Sequence, residues 1–131
     1  MKTTAMIVAA GALLAGCATG RDGEIVADPS FDAAANEFTG WVRVSEGEFQ
    51  LFREQRQLRE PFSRPCVSGA LPRNVQRAAA DLNGTQATFT GRAAAWHQPN
   101  PGQTLVWQGS RIRNLCRGAF VIQADSVRVL R

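Results

Sequence analysis

The sequence predicts a mainly β domain with one helix, built as a small five-stranded barrel, with a small two-sheet sandwich as the competing architecture. Three observations carry this. Between residues 38 and 130, apolar and polar side chains alternate in several runs, the period-two pattern of half-buried strands. In the same span residues 74–82 place apolar side chains at the three-to-four-residue spacing of a helix face, uninterrupted by glycine or proline. That stretch falls between the third and fourth of five strand candidates.

The first strand is expected over residues 39–44, with Val42 and Val44 on one face and Trp41 and Arg43 on the other. Ser45, Glu46 and Gly47 form a turn. Residues 48–53 follow as a second strand, with Phe49 and Leu51 inward. A rival reading takes Ser45 and Glu48 as a capping box opening a helix through Leu51, Gln55, Leu58 and Phe62. Gly47 and Pro61 oppose one long helix there, so residues 54–60 are assigned a single helical turn. A third strand is expected over 64–71, which contains Cys66 and Val67.

Pro72 sits where a helix would open, and Val75, Ala78, Ala79 and Leu82 form its stripe. Asn83 and Gly84 then supply a left-handed cap, leaving Arg73, Arg77 and Asp81 toward solvent. Residues 85–97 are the longest strand candidate, and Gly91 marks where it would bend strongly. Residues 99–102 (Pro-Asn-Pro-Gly) are a loop and residues 105–107 a short extended piece. The last strand runs over 119–130, with Phe120, Ile122 and Ala124 on one face. After Asp125 and Ser126 the alternation shifts to Val127 and Val129, the mark of a bulge. In element order, strand-strand-strand-helix-strand-strand over about residues 38–130 resembles the oligonucleotide/oligosaccharide-binding (OB) fold, a five-stranded barrel.

Ahead of this domain, Lys2 precedes an uncharged apolar run from Ala5 to Leu14. Ten helical residues span about 15 Å, half of a bilayer's hydrocarbon core, so the run reads as a secretory leader rather than a membrane span. It ends in Leu14-Ala15-Gly16-Cys17, which resembles the lipobox of bacterial lipoproteins. The resemblance implies cleavage before Cys17, a diacylglyceryl group on its thiol and an acyl chain on its new amino end, hence a membrane partner reached through acyl chains. Ala18, where such proteins carry Asp for inner-membrane retention, implies delivery to the periplasmic leaflet of the outer membrane. The organisation expected is a leader over 1–16, a lipidated N-terminus and acidic tether over 17–37, and a β-rich domain over 38–131.

Charge divides the chain at the same place. Residues 18–37 hold Arg21 against Asp22, Glu24, Asp28, Asp32 and Glu37, a net of −4, whereas residues 38–131 hold 13 Arg against six acids, a net of +7. The acidic arm is poor in large apolar residues and reads as a flexible tether. With Cys17 assigned to lipid, Cys66 and Cys116 remain, and in an oxidising periplasm they read as one structural disulfide.

Little in the chain points to catalysis. His97 is the one histidine and has no Asp, Glu or Cys beside it; Ser68-Gly69 lacks the G-x-S-x-G frame; no C-x-x-C or glycine-rich phosphate loop occurs. With the cysteines committed, no metal set and no cofactor is expected. Arg92 with Trp96 on one strand, Trp41 with Arg43 on another, and Arg111, Arg113 and Arg117 near Trp107 form a candidate ligand face. Arginine beside flat rings suits anions and sugars. The function expected is a lipid-anchored envelope module that binds or scaffolds, its partner an anionic envelope polymer or another envelope protein and not nucleic acid. A small periplasmic enzyme or accessory subunit using His97, and a purely structural lipoprotein, are the alternatives.

Overall fold

The computed structural model describes residues 25–26, 28–61, 63–97 and 104–130. The leader, Cys17 and the 99–102 loop expected from the sequence lie outside the described residues.

Five strands close into a barrel. β1 (Glu37–Ser45) turns through Glu46 and Gly47 into β2 (Glu48–Phe52), which continues through a 3-10 turn (Gln55–Arg59) to β3 (Val67–Ala70). A second 3-10 turn (Arg73–Val75) and a five-residue α1 (Gln76–Ala80) lead to β4 (Gln86–Ala95). A hairpin of β5 (Leu105–Trp107) and β6 (Ser110–Ile112) precedes β7 (Phe120–Val129). The barrel order is β1-β2-β3-β7-β4, closed by β4 on β1, with β5 and β6 as a separate pair. All barrel pairings are antiparallel except β3 with β7. The competing sandwich is therefore not the architecture; the closed barrel is compatible with an OB-like one.

The expected helix is corrected. Residues 74–82 do not form one apolar-striped helix: the regular α segment is a single turn, and the Leu82 and Thr85 amides close tight turns onto the Ala79 and Leu82 carbonyls. Ala79 and Leu82 are buried but Val75 is exposed. With Val75 left uncovered, the stripe lacks the packing that would extend a short helix against its nucleation cost.

Inside the barrel, Val42 and Val44 pair with Leu51 and Phe49, as alternation predicts. Phe49 stacks on Phe89 at 3.8 Å between ring centroids, and its register partner is Gly69, where a Cβ would lie 2.5 Å from the Phe49 ring. The expected bulge is present: Thr90 pairs with Ser126 and Gly91 with Ala124, so Asp125 is the extra residue, after which Val127 and Val129 pack on the core. At that point β4 presses against β7, and a Cβ on Gly91 would sit 2.2 Å from the Gln123 carbonyl oxygen. We expect Gly91→Ala to destabilise the barrel by about 1–3 kcal/mol or more, through forced backbone displacement. Urea unfolding followed by circular dichroism checks this; an unchanged midpoint would refute the close approach.

Residues 28–36, read from sequence as part of the tether, lie against the barrel. Two Asp-capped turns shape them: Asp28 accepts from the Ser30 amide and hydroxyl, and Asp32 from the Ala34 amide. They deliver Phe31 onto Phe38 and Phe120, at centroid distances of 5.6 and 5.9 Å. One aromatic residue in the arm is the anchor that composition averages away.

Candidate functional site

The outer face of β1, β2 and β3 is where the structure concentrates polar chemistry. Registration places Trp41 beside Phe52, Arg43 beside Gln50 and then Ser68, and Ser45 beside Glu48. In a barrel with one wet surface these would be solvated, yet all five residues of β2 are buried. Two segments cover them: residues 54–61 with 63–66, and the loop around Cys116. A Cys66–Cys116 disulfide joins these covers, with Cα atoms 5.4 Å apart, and packs with Phe52, Trp41 and Leu58.

Loop residues 113–118 are held by a buried carboxylate. Glu48 is fully buried; its Oε1 accepts the Arg113 amide at 2.6 Å and its Oε2 the Leu115 amide at 2.8 Å. The Arg113 guanidinium closes over it, pairing with Glu46 and donating to the Ser45 carbonyl. Ser68 Oγ accepts the Cys116 amide, and the Asn114 side chain bridges to both backbone groups of Gly118.

Between the two covers opens a cleft of about 290 Å³, lined by Arg43, Ser45, Gln50, Ser63 and Arg64 with Pro61, Phe52 and Leu115. Arg43 lies over the Phe52 ring, 5.0 Å from its centroid, and donates to the carbonyls of Gln57, Leu58 and Glu60 at the end of the 3-10 turn. Cations favour that end, where carbonyls are left over. Arg64, also on the lining, donates to the Leu115 and Cys116 carbonyls, at 2.8 and 3.2 Å. Burial, and then the neighbouring Arg117 cation, hold the Arg64 guanidinium below its ordinary pKa.

The structure does not gather the residues of the predicted ligand face onto one surface. Trp41 stands opposite Gln86 at the start of β4, while Trp96 follows its last residue. Ten strand residues put them roughly 30 Å apart along β4. Trp96 and Trp107 do meet, with Ala70, Ile112, Val121, Ala94 and Leu105, in an apolar cluster between the β5–β6 hairpin and the barrel wall. The Trp107 indole donates to the Ala124 carbonyl. Arg113 serves Glu46 and Glu48, whereas Arg92 and Arg111 are exposed on β4 and β6. His97 is exposed directly after Trp96. Sequence reasoning missed Arg64 and Ser63. The adjacency of Arg64 to Cys66 was the available signal, since a disulfide fixes whatever stands beside it.

Among the described residues no group of three His, Cys, Asp or Glu could hold a metal ion, and no helix is long and apolar enough to cross a membrane. Fold and site define a closed five-stranded barrel with a disulfide-pinned, arginine-lined cleft on its outer wall. No protein-family model, curated protein or solved structure matches the chain.

Proposed function

We propose that this chain is a lipid-anchored module of the bacterial envelope, held through acyl chains on Cys17 in the periplasmic leaflet of the outer membrane. Its OB-like barrel binds or scaffolds rather than catalyses, its partner an anionic envelope polymer or another envelope protein. One observation carries the reading. Of three cysteines, Cys66 and Cys116 are joined, a bond suited to an oxidising compartment, and the thiol left over is the one that ends Leu14-Ala15-Gly16-Cys17. The barrel order β1-β2-β3-β7-β4, with its connecting turns between β3 and β4, supports the OB-like part.

Intact-mass measurement of the chain recovered from bacterial membranes tests it. The expected mass begins at Cys17, carries three acyl chains, and lacks two hydrogens for the disulfide. Cys17→Ala should leave the membrane fraction, because stable attachment needs at least two chains. An uncut leader or an unmodified Cys17 would overturn the anchorage.

A further inference from the structure

The β5–β6 hairpin holds a strand edge open. Its two-residue turn, Gln108 and Gly109, has φ of 48° and 84°, the left-handed pair that closes a tight hairpin with the twist of its strands. Trp107 and Ser110 are then the hydrogen-bonded closing pair, and the ladder alternates from there. At Val106 and Arg111 the backbone groups accordingly point away from each other, those of Val106 to the outer edge of β5. That strand pairs with β6 alone, and among the described residues the Val106 amide and carbonyl have no backbone partner. Leu105, Trp107 and Ile112 mount the hairpin on the barrel through the apolar cluster of Ala70, Val121 and Trp96. The other face shows Val106, 63% exposed, directly across from Arg111. Beside the turn runs the segment from Arg73: its amide donates to the Gln108 carbonyl at 3.0 Å, and the Gln76 side chain donates to the Ser110 hydroxyl. Over residues 71–112 the chain holds Arg73, Arg77, Arg92 and Arg111 against one acid, Asp81. Arg73, Arg77 and Arg111 are exposed, and among the described residues none of them pairs with a carboxylate.

We propose that the β5 edge takes up an extended acidic segment of another protein as a third strand of this small sheet. An open edge is a template for pairing, and strand addition draws affinity from main-chain hydrogen bonds and selectivity from alternate side chains. Lipid headgroups and polysaccharide chains do not repeat N–H and C=O groups at strand spacing, so the edge selects a polypeptide. The three arginines select carboxylates on it and speed the encounter, while the Val106 methyls meet an apolar neighbour. Two copies joined edge to edge would bring these arginines together, so the charge that welcomes an acidic strand opposes self-pairing. The inference rests on the binding-module reading, whose protein partner it specifies, and is independent of the lipid anchor.

The test uses the full chain, disulfide intact, in neutral detergent at low salt, with a rhodamine-labelled short peptide of alternating Glu and Val followed by fluorescence anisotropy. Saturable binding is expected, weakened about threefold in Arg73→Gln and in Arg111→Gln, the scale of an exposed ion pair. Arg128→Gln, on β7, should bind as the parent does. Val106→Pro removes the outward amide at a place where an edge strand tolerates proline, and should abolish binding while circular dichroism keeps the parent's spectrum. Should that variant fail to fold, the same peptide methylated at every backbone nitrogen supplies the second readout on the unaltered chain. It keeps its charge, cannot pair as a strand, and should not bind. Equal binding of the methylated peptide, equal binding of a peptide of alternating Lys and Val, or no saturable binding at all would overturn the proposal. Phosphatidylglycerol vesicles that float Cys17→Ala through Arg73 and Arg111, with no peptide bound, would also overturn it and leave the module reading standing. Binding of neither peptide nor vesicles would count against both. Peptide binding by a chain found unacylated at Cys17 would sink the anchorage alone.

Discussion

Replacing Glu48 by alanine is expected to cost about 3–5 kcal/mol of stability, the range for removing one partner of a buried charged contact. The side chain is wholly buried and accepts two backbone amides, from Arg113 and Leu115, on separate oxygens. Truncation strands both donors beneath the loop, at about 1–3 kcal/mol each, and removes one of the two carboxylates facing Arg113, whose Nε lies 3.9 Å away and which keeps Glu46. Glu48→Gln keeps one good acceptor and should fall between parent and alanine variant. Urea unfolding with a fluorescence readout checks both; a loss below about 1 kcal/mol for Glu48→Ala, the scale of an exposed ion pair, would mean that water reaches the carboxylate.

Breaking the Cys66–Cys116 bond should cost about 4 kcal/mol. The bond spans a sequence separation of 50, and freeing a loop of that length in the unfolded chain gives this figure by the chain-entropy relation. The comparison is the double variant Cys66→Ser/Cys116→Ser against the oxidised parent, in the same denaturant. Glu48 and the disulfide hold one loop from two sides, so the costs should not add: combined variants should lose less than the sum, through a coupling of about 0.5–3 kcal/mol. Strict additivity would show that the loop keeps its place without either.

What was legible in the sequence and what was not divide along distance. The alternation of Val42 and Val44 and the phase shift at Asp125 are local patterns, and both appear where expected. Glu48 is also placed by alternation on the outer side of β2, beside Gln50. That the outer side is itself covered depends on a loop some 65 residues later. Nothing within β2 records this, so a charged residue that reads as solvated is the best-buried acid among those described. The short α1 was overread for a related reason. Helical spacing from Val75 to Leu82 reports a possible face, and the face forms only if another element comes to cover Val75. The tryptophans were misassigned to one surface because period-two reasoning fixes which side of a strand they take, not which end, and Trp41 and Trp96 belong to opposite ends of the barrel wall.

The packed residues 28–36 also change how such a barrel would hang from a bilayer. The Val26 amide donates to the Arg117 carbonyl, and Asp28 pairs with Arg53 at 3.1 Å, so the chain departs beside the disulfide-joined covers. Only eight residues then lie between Val26 and Cys17, a leash of nine Cα-to-Cα steps that reaches at most about 30–32 Å fully drawn out. For a protein acylated at Cys17, that is a short mooring from one flank. It would keep the disulfide-joined covers and the arginine-lined wall close to the headgroups.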